Sequence, residues 1–161
     1  NNRINETANP ELAIDRAMAT YLKKGYSKNW INQRLKSIEV RKELTDEWEE
    51  RGIKKGQEFA ILTDEITHAW SGKSVRAYKK YKNLKKENLR DNMTNLELIL
   101  NMLAEASTAE ISKEQKPETF DDNQKVAKQG GAVANVARKK IESQTKKPVV
   151  SSQNIKALQK K

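Results

Sequence analysis

Eight cations fall within one eighteen-residue stretch: Lys73, Arg76, Lys79, Lys80, Lys82, Lys85, Lys86 and Arg90, opposed there only by Glu87. Side chains of this kind neutralise phosphates, and Trp70, Tyr78 and Tyr81, interleaved with them, are of the type that stacks on bases. Arg76, Lys79 and Lys80 stand three and four apart, so one face of a helix can present all three. Lys85, Lys86 and Arg90 follow beyond Asn83 and can extend the same surface. All eight cations are therefore candidate nucleic-acid contacts. A plainer reading stands beside this one: Tyr78 and Tyr81 belong to the core, and the lysines solvate the outer face.

Other chemistry is sparse. His68 is the only histidine and there is no cysteine, so neither a zinc site nor a thiol nucleophile can be assembled from the usual ligands. The acidic neighbours Glu49-Glu50, Asp64-Glu65 and Asp121-Asp122 lie among Lys and Arg at helical positions, as solvating and capping groups do. Lys128-Gln129-Gly130-Gly131 lacks the spacing of a phosphate loop. The sequence predicts no enzyme, no cofactor and no metal.

Charge is distributed in blocks. The net charge is +10, yet residues 1–72 balance. The excess lies in 73–90 and again in 119–161, on either side of an acidic segment. Such clustering favours a polyanion partner. Hydrophobic residues are 35% and charged residues 34%, enough for a modest core. Six Gly, three Pro and few aromatics argue against a β-sandwich. No apolar run approaches the ~20 residues that cross a bilayer, and no stretch reads as a signal peptide. Lack of cysteine suits a reducing cytoplasm. The first residue is Asn1, not Met, as expected of a fragment from which an N-terminal portion has been removed.

The elements that must position the basic stretch read as helices. Asn9-Pro10-Glu11 is a helix entry, with Gly25 as the stop. Ser27 caps a second helix whose apolar phase (Trp30, Ile31, Leu35, Ile38) is lost at Arg41-Lys42 and regained at Leu44 and Trp48. That helix is either long or bent near 42–45. Phe59, Leu62, Ile66 and Trp70 form a third, starting near 57 or at Thr63, with Gly72 as its stop. Ser74 caps a short fourth that Asn83 ends in the left-handed conformation. Together the third and fourth can imitate a helix-turn-helix.

Thr94 and Glu97 form a capping box, with Met93 and Leu98 as a staple. The helix behind them is apolar but for a line of Glu97, Asn101, Glu105, Thr108 and Ser112. Leu96, Ile99, Leu100 and Leu103 are expected among the most buried residues. Thr119 opens a last helix whose Gly130-Gly131 pair costs roughly 1 kcal/mol per Gly relative to Ala. Close approach of another helix over Ala127, Gly130, Gly131 and Ala134 would offset that cost, in this chain or in a second copy; a kink is the alternative. The expected fold is all-α, a compact bundle of five to seven helices with a basic C-terminal tail. Residues 1–115 would form the core, 116–145 the Gly-Gly helix, and 146–161 a flexible tail. Ser152 can start a final turn through Ile155 and Leu158.

Five blocks carry a family resemblance: ANPELAIDRA (8–17), GYSKNWINQRLKSIEVRKELTDEW (25–48), FAILTDEITHAWSG (59–72), LKKENLRDNMTNLELILNMLAE (84–105) and QGGAVANVARKKIE (129–142). Over about residues 8–150 the chain resembles the region downstream of the BRO N-terminal domain in DNA-damage-inducible protein D and related BRO-family, antirepressor-like proteins of bacteria and prophages. It departs from that pattern at Asn83 and Lys146, where relatives often have Gly. The resemblance implies a non-enzymatic regulator of the DNA-damage (SOS) response or of prophage control, and it supplies no catalytic residues. The BRO N-terminal domain would lie before Asn1. Two functional classes follow. In one, the domain touches DNA or a protein–DNA filament through residues 73–90 and the basic tail. In the other, it is an interaction module that dimerises or binds a repressor or other protein, without membrane contact, and its charge is incidental.

Overall fold

The computed structural model describes residues 10–154. They form six α-helices: α1 (Pro10–Lys23), α2 (Lys28–Glu50), α3 (Gln57–Ser71), α4 (Val75–Tyr81), α5 (Asn95–Gln115) and α6 (Phe120–Thr145). A 3-10 turn, Arg90–Asn92, precedes α5. No strand occurs among the described residues, so the fold is the all-α bundle the sequence predicts. None of these helices is long and apolar enough to cross a membrane. The expected cap at Asn9, the side chain of Leu12, and the turn through Ile155 and Leu158 lie outside the described residues.

Local signals set the helix ends. The hydroxyl of Ser27 accepts from the Trp30 amide, Ser74 from Ala77 and Thr119 from Asp122. The Thr94–Glu97 capping box is formed in both directions. Asn83 and Lys146, the two departures from the resembled pattern, have φ of 59° and 60°. That is the region glycine enters without a Cβ penalty. α2 is one unbroken helix, and α3 starts at Gln57, not at Thr63.

The burial of α5 reverses the expectation for three of its residues. Leu96, Ile99 and Leu103 are 37%, 43% and 37% exposed, and of the four predicted core residues Leu100 alone is buried. Glu97, Asn101, Glu105, Thr108 and Ser112, the polar line of that helix, point inward. The cause is that each polar group has a partner inside. Glu97 meets Lys82, and Asn101 accepts from the Trp70 indole at 3.1 Å. Glu105 meets Arg41 and Arg90, while Ser112 donates to Glu47 at 2.6 Å. Thr108 returns its hydroxyl to Ala104 O and presents a small surface to Gly130. A polar stripe with so many partners can be buried at the cost of leucines on the outside.

α6 lies against both α5 and α3, and its two glycines explain how. A Cβ on Gly130 would stand 2.6 Å from the Thr108 amide nitrogen. One on Gly131 would stand 2.8 Å from Ile66 O. Ala127, Gly130, Gly131 and Ala134 are all buried within this one chain. The close helix contact predicted for them is therefore intramolecular.

Beyond Lys146 the chain turns back. Val149 and Val150 are buried, the Val149 amide donates to Glu142, and the Ser151 amide to Glu97. Residues 146–154 thus lie along the core instead of forming the start of a flexible tail.

Gly130→Ala should destabilise the protein by about 1–3 kcal/mol, although Gly to Ala in an open helix gains roughly 1 kcal/mol. Leu100→Ala should cost about 2–5 kcal/mol, and Leu103→Ala well under half of that. Denaturant titration of the three variants checks the packing. A gain in stability for Gly130→Ala would rule out the tight contact.

Candidate nucleic-acid interface

The position of the basic segment follows from what α4 buries. Tyr78 is fully buried and its hydroxyl donates to Glu97. Lys82, one turn on, is also fully buried, its Nζ 2.8 Å from Glu97 Oε1 and 2.7 Å from Gln153 O. Burial pushes the Lys82 ammonium below the usual lysine range, and the Glu97 carboxylate works against that shift. The Val75 amide donates to Asp64 at 2.7 Å, which fixes the start of α4 to α3. With Val75, Tyr78 and Lys82 turned inward, helical geometry leaves Arg76, Lys79 and Lys80 on the outer side. Arg76 and Lys80 are exposed and Lys79 is half-buried.

After Asn83 the buried Leu84 anchors the chain, and Lys85 and Lys86 emerge exposed. Their amides both donate to the Glu87 carboxylate. That carboxylate is held below the usual glutamate range by backbone N–H groups, its own and that of Lys85 first among them. Asn88 then accepts from the amides of Arg90 and Asp91 and shapes the 3-10 turn.

These cations border a groove of about 830 Å³ between α3 and α4. Arg76, Lys79, Lys80 and Lys85 contribute its positive charge, and Arg41, paired with Glu105, and the acid Asp64 also line it. Ala60, Ile61, Val75 and Leu84 supply its apolar lining. A second depression of about 350 Å³ shares Thr63, Val75 and Lys79 with the first, and adds Lys86, Glu87, Asn88 and Arg90. Among the described residues, no ion pair engages Arg76, Lys79, Lys80, Lys85 or Lys86.

Of the eight cations singled out in the sequence, two are spent inside. Lys82 is the buried partner of Glu97. Arg90 grips Glu105 with both terminal nitrogens, at 2.9 and 2.8 Å. Neither is available as a primary phosphate contact, because moving it would strand a buried carboxylate. Lys73 stands apart from both depressions, its Nζ 4.4 Å from the Tyr81 ring centroid. Trp70 and Tyr78 are core residues and cannot stack on a base, whereas Tyr81 is 43% exposed. The aromatics are thus mostly core, and the outer cations border the two depressions.

Arg41 is the groove residue that the sequence reading did not include. Its guanidinium donates to Glu105 at 2.8 Å and to the Thr63 hydroxyl at 2.7 Å, and lies 5.1 Å from the Trp48 ring. The available signal was the break in apolar phase at Arg41-Lys42, within a helix that stays continuous. His68 is exposed, far from the role of a general base in a closed site. No cluster of three His, Cys, Asp or Glu is placed to hold a metal ion among the described residues.

Fold and surface together define an all-helical domain with a grooved basic face. No protein-family model matches the chain, and no curated protein or solved structure matches it either.

The two arginines on Glu105 give stability a pH signature. Burial by itself would raise the Glu105 pKa, but Arg90 and Arg41 outweigh it and hold the carboxyl below its ordinary range. A carboxylate with a depressed folded pKa contributes stability that is complete above the unfolded value and lost as pH falls through the folded one. Stability should therefore fall as the pH is lowered below about 4.5, the ordinary glutamate value. Glu105→Gln should cost about 3–5 kcal/mol at neutral pH, since it leaves two arginines without their charge partner. It should also flatten the acid limb of a stability–pH curve measured in denaturant. An equally steep acid limb in the variant would assign the dependence to other carboxylates.

Proposed function

We propose that this domain is a non-enzymatic regulatory module that contacts DNA, or a protein–DNA complex, through the face formed by α4 and the segment after it. The observation that carries the proposal is the set of five outward cations, Arg76, Lys79, Lys80, Lys85 and Lys86, around two adjoining depressions without an ion pair among the described residues. Solubility requires scattered charge of both signs, not five cations gathered at a concave surface against Asp64 and Glu87, both already occupied by backbone amides. The sequence resemblance to DNA-damage-inducible protein D and BRO-family antirepressor-like proteins supports a role in the DNA-damage response or in prophage control, in a bacterial cytoplasm.

One observation favours a second reading. Leu96, Ile99 and Leu103 stand three and four apart along the outside of α5 and are each more than a third exposed. An apolar ridge of that spacing suits a partner helix, as an antirepressor-type protein contact or a homodimer would require.

Salt dependence separates the two. With about five phosphates neutralised, log affinity for DNA should fall with log salt at a slope of about −3 to −5. The triple reversal Arg76→Glu, Lys79→Glu, Lys80→Glu should abolish binding and leave the helical circular-dichroism signal intact, since these side chains support no buried contact. Unaltered affinity in that variant would move the contact to the basic residues of 119–161. No DNA binding by the parent chain at low salt would favour the protein-partner reading.

A further inference from the structure

The larger groove has more than a contact with duplex phosphates requires. Its rim is cationic, with Arg76, Lys79, Lys80 and Lys85, but Ala60, Ile61 and Val75 line it with apolar surface. Ala60 is exposed and the other two are half-buried. A duplex keeps its bases stacked inside and offers a convex rod of phosphates. Laid across this rim, it would leave the apolar lining in contact with water alone. A single strand offers a flat, largely apolar base and a phosphate within one nucleotide of each other. It can fill the lining and the rim at once. The groove is open to solvent, and its volume of about 830 Å³ leaves room for a base.

We infer that the groove is a single-strand site: an unpaired base seats on Ala60, Ile61 and Val75, while the phosphates flanking it are held by Arg76, Lys79, Lys80 and Lys85. The inference rests on the polyanion-binding role proposed above and narrows it to nucleic acid with unstacked bases. The second depression gives the strand a continuation. Lys79 belongs to both depressions, and Lys86 and Asn88 lie beyond it. Neither depression has an aromatic side chain in its lining. The base is held by aliphatic contact and by the plane of the Arg76 guanidinium, which can lie on an aromatic ring. Such a site is tolerant of sequence, because every base has the same kind of face. An acidic amphipathic helix is the competing occupant. It needs apolar anchors over several turns, whereas of the α3 residues that line the groove only Ala60 and Ile61 are apolar.

The test uses the whole 161-residue chain and fluorescence anisotropy at one fixed salt concentration. The probes are a labelled single-stranded oligonucleotide, the same backbone with abasic sites along its centre, and the matching duplex. Inorganic polyphosphate and an acidic amphipathic peptide serve as competitors. The base-bearing strand should bind about tenfold more tightly than the abasic strand, the difference of one well-seated group. The groove-filling variant Ala60→Ile should lower binding of the base-bearing strand to the abasic level and leave the abasic strand and polyphosphate unchanged. Val136→Ile, an equally apolar enlargement at an exposed position of α6 outside both depressions, should keep the tenfold preference. Equal affinity for the base-bearing and abasic strands, or a preference for duplex, would overturn the groove inference and leave the polyanion role standing. Binding of none of the nucleic acids or polyphosphate would overturn both. Competition by the acidic peptide that Ala60→Ile removes, with no preference for bases, would assign the groove to a protein helix and overturn the single-strand site.

Discussion

Glu97 and Glu105 stand two turns apart on α5, and both carboxylates are buried. An ionised carboxylate in such a place is tolerable only if every lone pair is met. Glu97 is met by Lys82, the Tyr78 hydroxyl, the Thr94 amide and the Ser151 amide. Glu105 is met by Arg41, both terminal nitrogens of Arg90, and the Asn101 amide. Those partners come from α2, α4, the 3-10 turn, α5 itself and the C-terminal segment. Two side chains therefore register α2, α4, the 3-10 turn and the C-terminal segment against α5. Apolar packing is indifferent to small rotations of a helix, but a bidentate arginine is not. The charge network sets the orientation, and the aliphatic core fills in around it.

The same network decides which cations face solvent. α4 is anchored inward by Tyr78 and Lys82, four residues apart, and both end on Glu97. Had either been apolar, α4 could settle in other rotations and the outer cations would change with it. Because both are fixed, Arg76, Lys79 and Lys80 share the outer side, and Leu84 turns the chain so that Lys85 and Lys86 join them. The glycines of α6 contribute at a distance. Gly131 lets α6 lie against Ile66 and Ala69, which holds α3 in the place where its Ala60 and Ile61 can line the groove.

Elements with local causes were legible in the sequence. The caps at Ser27, Ser74, Thr94 and Thr119 need only a hydroxyl and the amides that follow it, and each formed as its residues imply. The turns at Gly25, Gly72 and Asn83 need only a left-handed residue. The Gly130-Gly131 pair gave notice of a close helix contact, because nothing else offsets two helical glycines. The inside of α5 was not legible, for a specific reason. Hydrophobic periodicity assumes that polar residues face water, and it fails where partners from distant elements satisfy a polar stripe. Arg34, Ser37 and Arg41 mislead in the same way on α2: they lie on its inward side, so a continuous buried face reads as a break in phase. At the basic segment, density of charge was visible, but the diversion of Lys82 and Arg90 to the interior required knowing what stood opposite them.

That diversion strengthens the external field. On the sequence alone, the acidic segment after residue 90 lies between two basic blocks and would be expected to offset both. In the fold, Glu97 and Glu105 are withdrawn from the surface with Lys82 and Arg90, and Asp91 is paired with Arg34 at 2.8 Å. The segment 73–90 then presents Lys73, Arg76, Lys79, Lys80, Lys85 and Lys86 to solvent against Glu87 alone, whose carboxylate is occupied by backbone amides. Burying equal numbers of both signs leaves the total charge as it was, but it moves the neutralising acids out of the region a ligand can reach. The near acids that remain on this face are Asp64 and Glu87, both hydrogen-bonded to backbone amides, and the apolar floor of the groove lies among the outward cations.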